Sequence, residues 1–107
     1  MSEIEFSIND NFNRVVQEGI SLVDFNAPWC GPCRAQDPII NQLGKDYEGK
    51  ADFVKVNIDE HHDIAMVLGI QSIPTIIIFQ KGREVKRMVG LQSAAALSTA
   101  LDSLLDH

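Results

Sequence analysis

The run Ile20-Ser21-Leu22-Val23-Asp24-Phe25 constrains the fold more than any other stretch of the chain. Read as a strand, it places Ile20 and Leu22 on one face and Val23 and Phe25 on the other. A strand apolar on both faces belongs inside a sheet covered on both sides, as in parallel α/β sheets. Directly after it come the only two cysteines, in Trp29-Cys30-Gly31-Pro32-Cys33. Ile39, Ile40, Leu43 and Tyr47 then recur at helical spacing. Both thiols therefore sit where a buried strand gives way to a helix.

The remaining elements fit the same plan. Ile4 and Phe6 alternate with glutamates as a short first strand, and Ser7 to Asn11 is a cap-rich cluster. Phe12, Val15 and Val16 have helical spacing, with Gly19 as a stop. Pro38 lies inside the helix after the cysteines and is expected to kink it. Phe53 to Ile58 reads as a strand, and Ile64, Ala65 and Leu68 as a short helix ending at Gly69. Thr75–Phe79 and Glu84–Val89 flank the turn Gln80-Lys81-Gly82-Arg83, which predicts a hairpin. Ser93 is placed to cap a last helix with Leu97, Leu101, Leu104 and Leu105 on one face. The order βαβαβαββα predicts an α/β fold, a mixed five-stranded sheet flanked by four helices. Its first half is expected to be joined by right-handed crossovers.

A length of 107 residues suits one domain with a real core, and residues 1–107 are read as a single unit. A net charge of −6 argues against a nucleic-acid backbone or an anionic membrane surface as partner. The acidic Met1-Ser2-Glu3-Ile4-Glu5 has no basic or apolar leader pattern, and no apolar run approaches a membrane span. A cytoplasmic location is the expectation. In a reducing compartment a structural disulfide is unusual, and two cysteines are too few for a disulfide scaffold.

Cys-x-x-Cys is also half of a zinc site. A structural zinc takes four ligands, however, and of the further candidates His61 and His62 are adjacent and far downstream. They read better as the start of a solvated helix. A redox role has a direct physical basis. Pro32 suits a first helical turn, which puts Cys30 at the helix N-terminus, where unpaired amides and the helix dipole favour a thiolate. The thiolate is the attacking species in disulfide exchange. Cys33, one turn on, is expected to be the more buried thiol and the resolving one.

Around this motif the chain resembles the thioredoxin family, in its bacterial form with the Trp-Cys-Gly-Pro-Cys site, from near its first strand to its last helix. The resemblance rests on Trp29 to Cys33, Asp24-Phe25, Pro38, Lys55-Val56-Asn57-Ile58-Asp59, Gly69-Ile70, Ile73-Pro74-Thr75, Gly82 and Val89-Gly90 in that order. It implies protein-disulfide reduction in two steps, with Cys30 as nucleophile and Cys33 as resolving thiol. It also implies that Asp24, costly to ionise within an apolar strand, serves Cys33 as base, with Lys55 as its electrostatic partner. Pro74 should be cis and face the cysteines, presenting Ile73 to an extended substrate. Trp29, Gly31, Pro32, Ile58, Ile73, Pro74, Val89 and Gly90 should form the redox loop and docking surface; taken alone, Ile58 and Val89 read equally well as core residues at strand ends. No bound cofactor or metal is implied, only the redox-active Cys30–Cys33 pair. The partners would be disulfide-containing proteins and a thioredoxin reductase, commonly an NADPH-dependent flavoprotein, acting on a monomer.

Two residues depart from the pattern. Asn26 stands where the family usually carries an aromatic residue, and Asp37, four after Cys33, where a small or apolar one is usual. Asn26 should loosen packing beneath the loop or admit water. Asp37 should disfavour a Cys33 thiolate and raise the Asp24 pKa. Both are candidates for tuning the couple. An oxidase or isomerase usually carries a His between the cysteines and needs an export signal, so Gly31-Pro32 favours reduction. A subunit role in another protein's complex stays open.

Overall fold

A computed structural model describes residues 12–105. A helical segment at 12–16 (α1) leads into strand β1 (Ile20–Asn26), then α2 (Gly31–Asp46), β2 (Asp52–Asn57), α3 (His62–Val67), β3 (Thr75–Gln80), β4 (Arg83–Val89) and α4 (Ala94–Leu105). The four described strands form one sheet in the order β2-β1-β3-β4. β1 pairs parallel with β2 and antiparallel with β3, and β3 pairs antiparallel with β4. The expected fifth strand, at Ile4 and Phe6, and the cap-rich cluster at 7–11 lie outside the described residues.

β1 is interior, and its side chains are divided between two cores as strand alternation requires. On one face Ile20 and Leu22 join Ile76 and Ile78 of β3 beneath Ile40 and Leu43 of α2 and Leu97 and Leu101 of α4. On the other, Val23 and Phe25 join Ile77 and Phe79 against Val16, Val56 and Ile64. This is why Ile20–Phe25 is apolar on both faces. Asp24 follows Ile20 and Leu22 on the face that α2 covers, and it is 1% exposed.

Local signals account for the element ends. α2 starts with Cys30 as N-cap and Pro32 in its first turn, and it runs through Pro38 to Asp46. The two-residue turn between β3 and β4 has Lys81 at φ 54° and Gly82 at φ 83°, the positive pair that matches strand twist. Ser93 Oγ accepts the Ala96 N–H at 3.1 Å and so caps α4. His61 is the half-buried N-cap of α3, and His62, its first residue, is exposed.

Candidate active site at the start of helix α2

Cys30 leaves β1's direction in extended conformation (φ −92°, ψ 114°), and its Sγ accepts the Cys33 N–H at 3.2 Å. The sulfur thus takes the place of a capping oxygen at one of the unpaired amides of the helix. Cys30 and Cys33 are joined as a disulfide with Cα atoms 5.2 Å apart. Both are 5% exposed, so in this oxidised pair Cys33 is not the more buried residue, contrary to expectation. The reason lies in the packing: Ala27, Cys30 and Cys33 form one small buried cluster, and Ile58 and Ile73 pack against it.

The expected docking residues surround this cluster. The Ile73–Pro74 bond is cis, and the Ile73 carbonyl oxygen lies 3.8 Å from Cys30 Sγ. Trp29 is 65% exposed and donates its indole N–H to Asp59 Oδ2 at 2.9 Å, which fixes the ring beside Cys30. Gly31 and Pro32 are exposed at the helix start. Val89, at the end of β4, is 59% exposed, so it is no core residue; Ile58 and Ile73 are half-buried. Gly90 has φ 92° and donates its N–H to the Pro74 carbonyl at 2.8 Å, tying the β4 exit to the proline. Leu91 beside it is 51% exposed, an apolar rim residue that no motif pointed to.

Asp24 lies in the sheet behind α2. Asn26 Nδ2 donates to the Asp24 carbonyl at 3.2 Å and reaches Asp24 Oδ2 at 3.5 Å, whereas Oδ1 is buried with no partner among the described residues. Burial pushes the Asp24 carboxyl up to about 6; the Asn26 amide counteracts this, the Asp37 carboxylate adds to it and the Lys55 charge lowers it. Asp24 and Lys55 are register partners on β1 and β2. The ammonium nevertheless turns away: Lys55 Nζ lies 2.6 Å from Asp37 Oδ1 and 2.7 Å from Asn41 Oδ1. Asp37 and Asn41 are four apart on α2 and present two oxygens together. Lys55 therefore acts on Asp24 only through space, and Asp37 carries a direct counter-charge.

A cavity of about 530 Å³ is lined by Asn26, Cys33, Asp37, Lys55, Glu60 and His61 among others. Of the two cysteines it is Cys33 that lines it. Gln36, one turn beyond Cys33 and 0% exposed, is a second residue that sequence reading passed over. Its signal was available: a polar side chain on the helical face shared by Cys33, Ile40 and Leu43 must find a hydrogen-bonding partner. Among the described residues no group of three or more His, Cys, Asp or Glu could hold a metal ion.

A disulfide capping a helix, with a protonatable carboxyl in the sheet behind it, defines a dithiol–disulfide exchange centre within an α/β fold. The thioredoxin family model matches residues 3–103. Thioredoxin of Staphylococcus haemolyticus is 42% identical over 97 residues, 91% of this chain and 93% of that protein. Thioredoxin of Staphylococcus aureus is 43% identical over 95 residues, covering 89% and 91%. Among solved structures, a mutant thioredoxin from Halobacterium salinarum superposes with a TM-score of 0.83 at 31% identity, covering 90% of this chain and 84% of that one. The thioredoxin of Malassezia sympodialis does so with 0.81 at 31%, covering 88% and 83%. The chain belongs to the thioredoxin family. Members of that family are protein-disulfide oxidoreductases that act on disulfide substrates and are recycled by thioredoxin reductase. Their redox group is the cysteine pair itself, here Cys30–Cys33. No helix among the described residues is long and apolar enough to cross a membrane.

Proposed function

We propose that this chain is a cytoplasmic, monomeric, single-domain reductase of protein disulfides, with Cys30 attacking and Cys33 resolving. The observation that carries the assignment is the Cys33 N–H donated to Cys30 Sγ at 3.2 Å. In the reduced protein the same amide, with the helix dipole, favours the Cys30 thiolate, an effect of roughly 0.3–1 kcal/mol at a helix N-terminus. The Cys30 thiolate attacks one sulfur of a substrate disulfide. The other substrate sulfur leaves as a thiolate and takes a proton, and Cys30 is held in a mixed disulfide. Asp24, with its pKa near the working pH, accepts the Cys33 proton. The Cys33 thiolate then attacks Cys30 Sγ and expels the second substrate thiolate. The substrate gains two electrons and the chain ends as Cys30–Cys33.

The exposed Trp29 and Val89, with Ile58, Ile73, Gly31, Pro32 and Gly90, form the surface on which the substrate segment lies; the Ile73 backbone beside Pro74 is its edge for strand-like pairing. Lys55 acts as a distant electrostatic partner of Asp24. An NADPH-dependent flavoprotein reductase restores the dithiol, so neither a nucleic acid nor a membrane enters the cycle. The test couples NADPH and thioredoxin reductase to this protein and follows reduction of insulin. Cys30→Ser should abolish turnover. Cys33→Ser should accumulate a mixed disulfide through Cys30, visible by mass spectrometry. Turnover surviving in Cys30→Ser would refute the assignment.

A further inference from the structure

Gln36 has no place in the exchange chemistry, yet it is as buried as any residue of the core. A primary amide so placed is tolerated only when its donor and acceptor are both met. Here a single residue meets both. Gln36 Nε2 donates to the Gln92 carbonyl at 3.0 Å, and Gln36 Oε1 accepts the Gln92 N–H at 2.7 Å. The side chain therefore grips the backbone of residue 92 as a neighbouring strand would, across 56 positions of sequence.

The gripped segment is the rim of the docking surface. Gln92 Nε2 in turn donates to the carbonyls of Val89 and Gly90, each at 3.3 Å. Gly90 donates to Pro74, and Ile73 lies against Cys30. A closed ring of contacts results: Cys30 capping α2 and Cys33 in its first turn, Gln36 one turn on, Gln92, Gly90, Pro74, Ile73, and back to Cys30. Val89 and Leu91, both more than half exposed, ride on the part of the ring that Gln36 holds.

We propose that Gln36 is a positioning residue that holds the Val89–Gln92 rim at a fixed distance from the redox helix, and so sets how well protein substrates dock. This rests on the docking surface described under the proposed function. Gln36 touches neither sulfur nor substrate in this scheme; it acts through the backbone of residue 92. Small disulfides, which have no segment to lay along the rim, should not sense it.

The test uses pre-reduced protein mixed with excess insulin or excess cystine, so that no reductase takes part. Gln36→Met keeps the volume and removes both hydrogen bonds. Insulin reduction should slow by about 5- to 10-fold, the scale of one net hydrogen bond's worth of positioning. Cystine reduction should change by less than about 2-fold, and the equilibrium with glutathione should not move. Rates that fall together for both substrates, or rates that change for neither, would overturn the proposal. Val89→Asp separates it from the reading beneath it. If that variant also leaves insulin reduction unchanged, the docking surface itself is wrong; if it slows insulin and Gln36→Met does not, only the clip is wrong. Should Gln36→Met fail to fold, Gln36→Glu keeps the acceptor for the Gln92 N–H and is expected to show the same substrate split. In the wild-type protein the Gln92 amide should exchange with solvent far more slowly than that of Leu91, and equal rates would overturn the clip.

Discussion

Asp24→Asn should stabilise the oxidised protein, and only above a definite pH. In the folded chain the carboxyl is 1% exposed and titrates at about 6, against 3.8 as the ordinary value. The folded state thus holds its proton more tightly than the unfolded state. Between these values unfolding releases a proton, so stability falls as pH rises. At about 1.4 kcal/mol per pH unit, the full shift costs the wild-type protein roughly 3 kcal/mol once both states are ionised. At about pH 8 all of that penalty is present; at about pH 4 only some ~0.5 kcal/mol remains.

Asn cannot ionise, so the variant escapes the pH-dependent part. It also brings a buried NH₂, which costs about 1–3 kcal/mol if it finds no acceptor. That offset is independent of pH and cancels in the comparison. Urea unfolding of both proteins at about pH 4, 6 and 8 should show the difference moving in the variant's favour by about 2–3 kcal/mol, most of it gained by about pH 6. Asp52→Asn, which removes a charge from an exposed position, controls for the change in net charge. A difference constant within about 0.5 kcal/mol across this range would refute the buried, raised carboxyl and with it the basis for Asp24 as base.

Two predictions concern the frame that holds the site. Leu101→Ala, at a 0% exposed position facing α2 and the sheet, should cost about 2–5 kcal/mol in denaturant unfolding while leaving the redox equilibrium with glutathione unchanged. Tyr47→Phe removes the hydroxyl that donates to Asp102 Oδ1 at 2.7 Å and joins the end of α2 to α4; the expected loss is about 0.5–1.5 kcal/mol, seen as a lower melting temperature with the active-site disulfide intact.

What could be read from the chain was what neighbouring residues decide. The apolar faces of β1, the proline in the first turn of α2 and the serine cap of α4 are local, and each formed where its residues placed it. Strand alternation groups Asp24 with Ile20 and Leu22, but its place behind the cysteines came from the family resemblance, and only the packing of Ile40 and Leu43 over that face shows that α2 covers it. Side-chain partners between elements were less legible. Strand pairing set Lys55 opposite Asp24, but nothing within β2 revealed that α2 would offer it Asp37 and Asn41 instead. Gln36 was marked as unusual by its buried neighbours, yet its partner is a backbone on the far side of the sequence.

The two departures from the family pattern act on the same carboxyl, and in opposite directions. The Asn26 amide lowers the Asp24 pKa, whereas the Asp37 charge raises it and also holds Lys55. Asn26→Trp removes the amide donor and fills part of the cavity, so desolvation deepens and the Asp24 titration should move above about 6. Asp37→Ala removes a negative charge and frees the ammonium, so the titration should move below it. A double variant would then sit near the wild-type protein and read as evidence that neither residue matters. The informative measurement is the carbon-13 titration of the Asp24 carboxyl in each single variant. Shifts of the same sign would refute the opposition, and no shift in either would show that the two residues do not set this carboxyl.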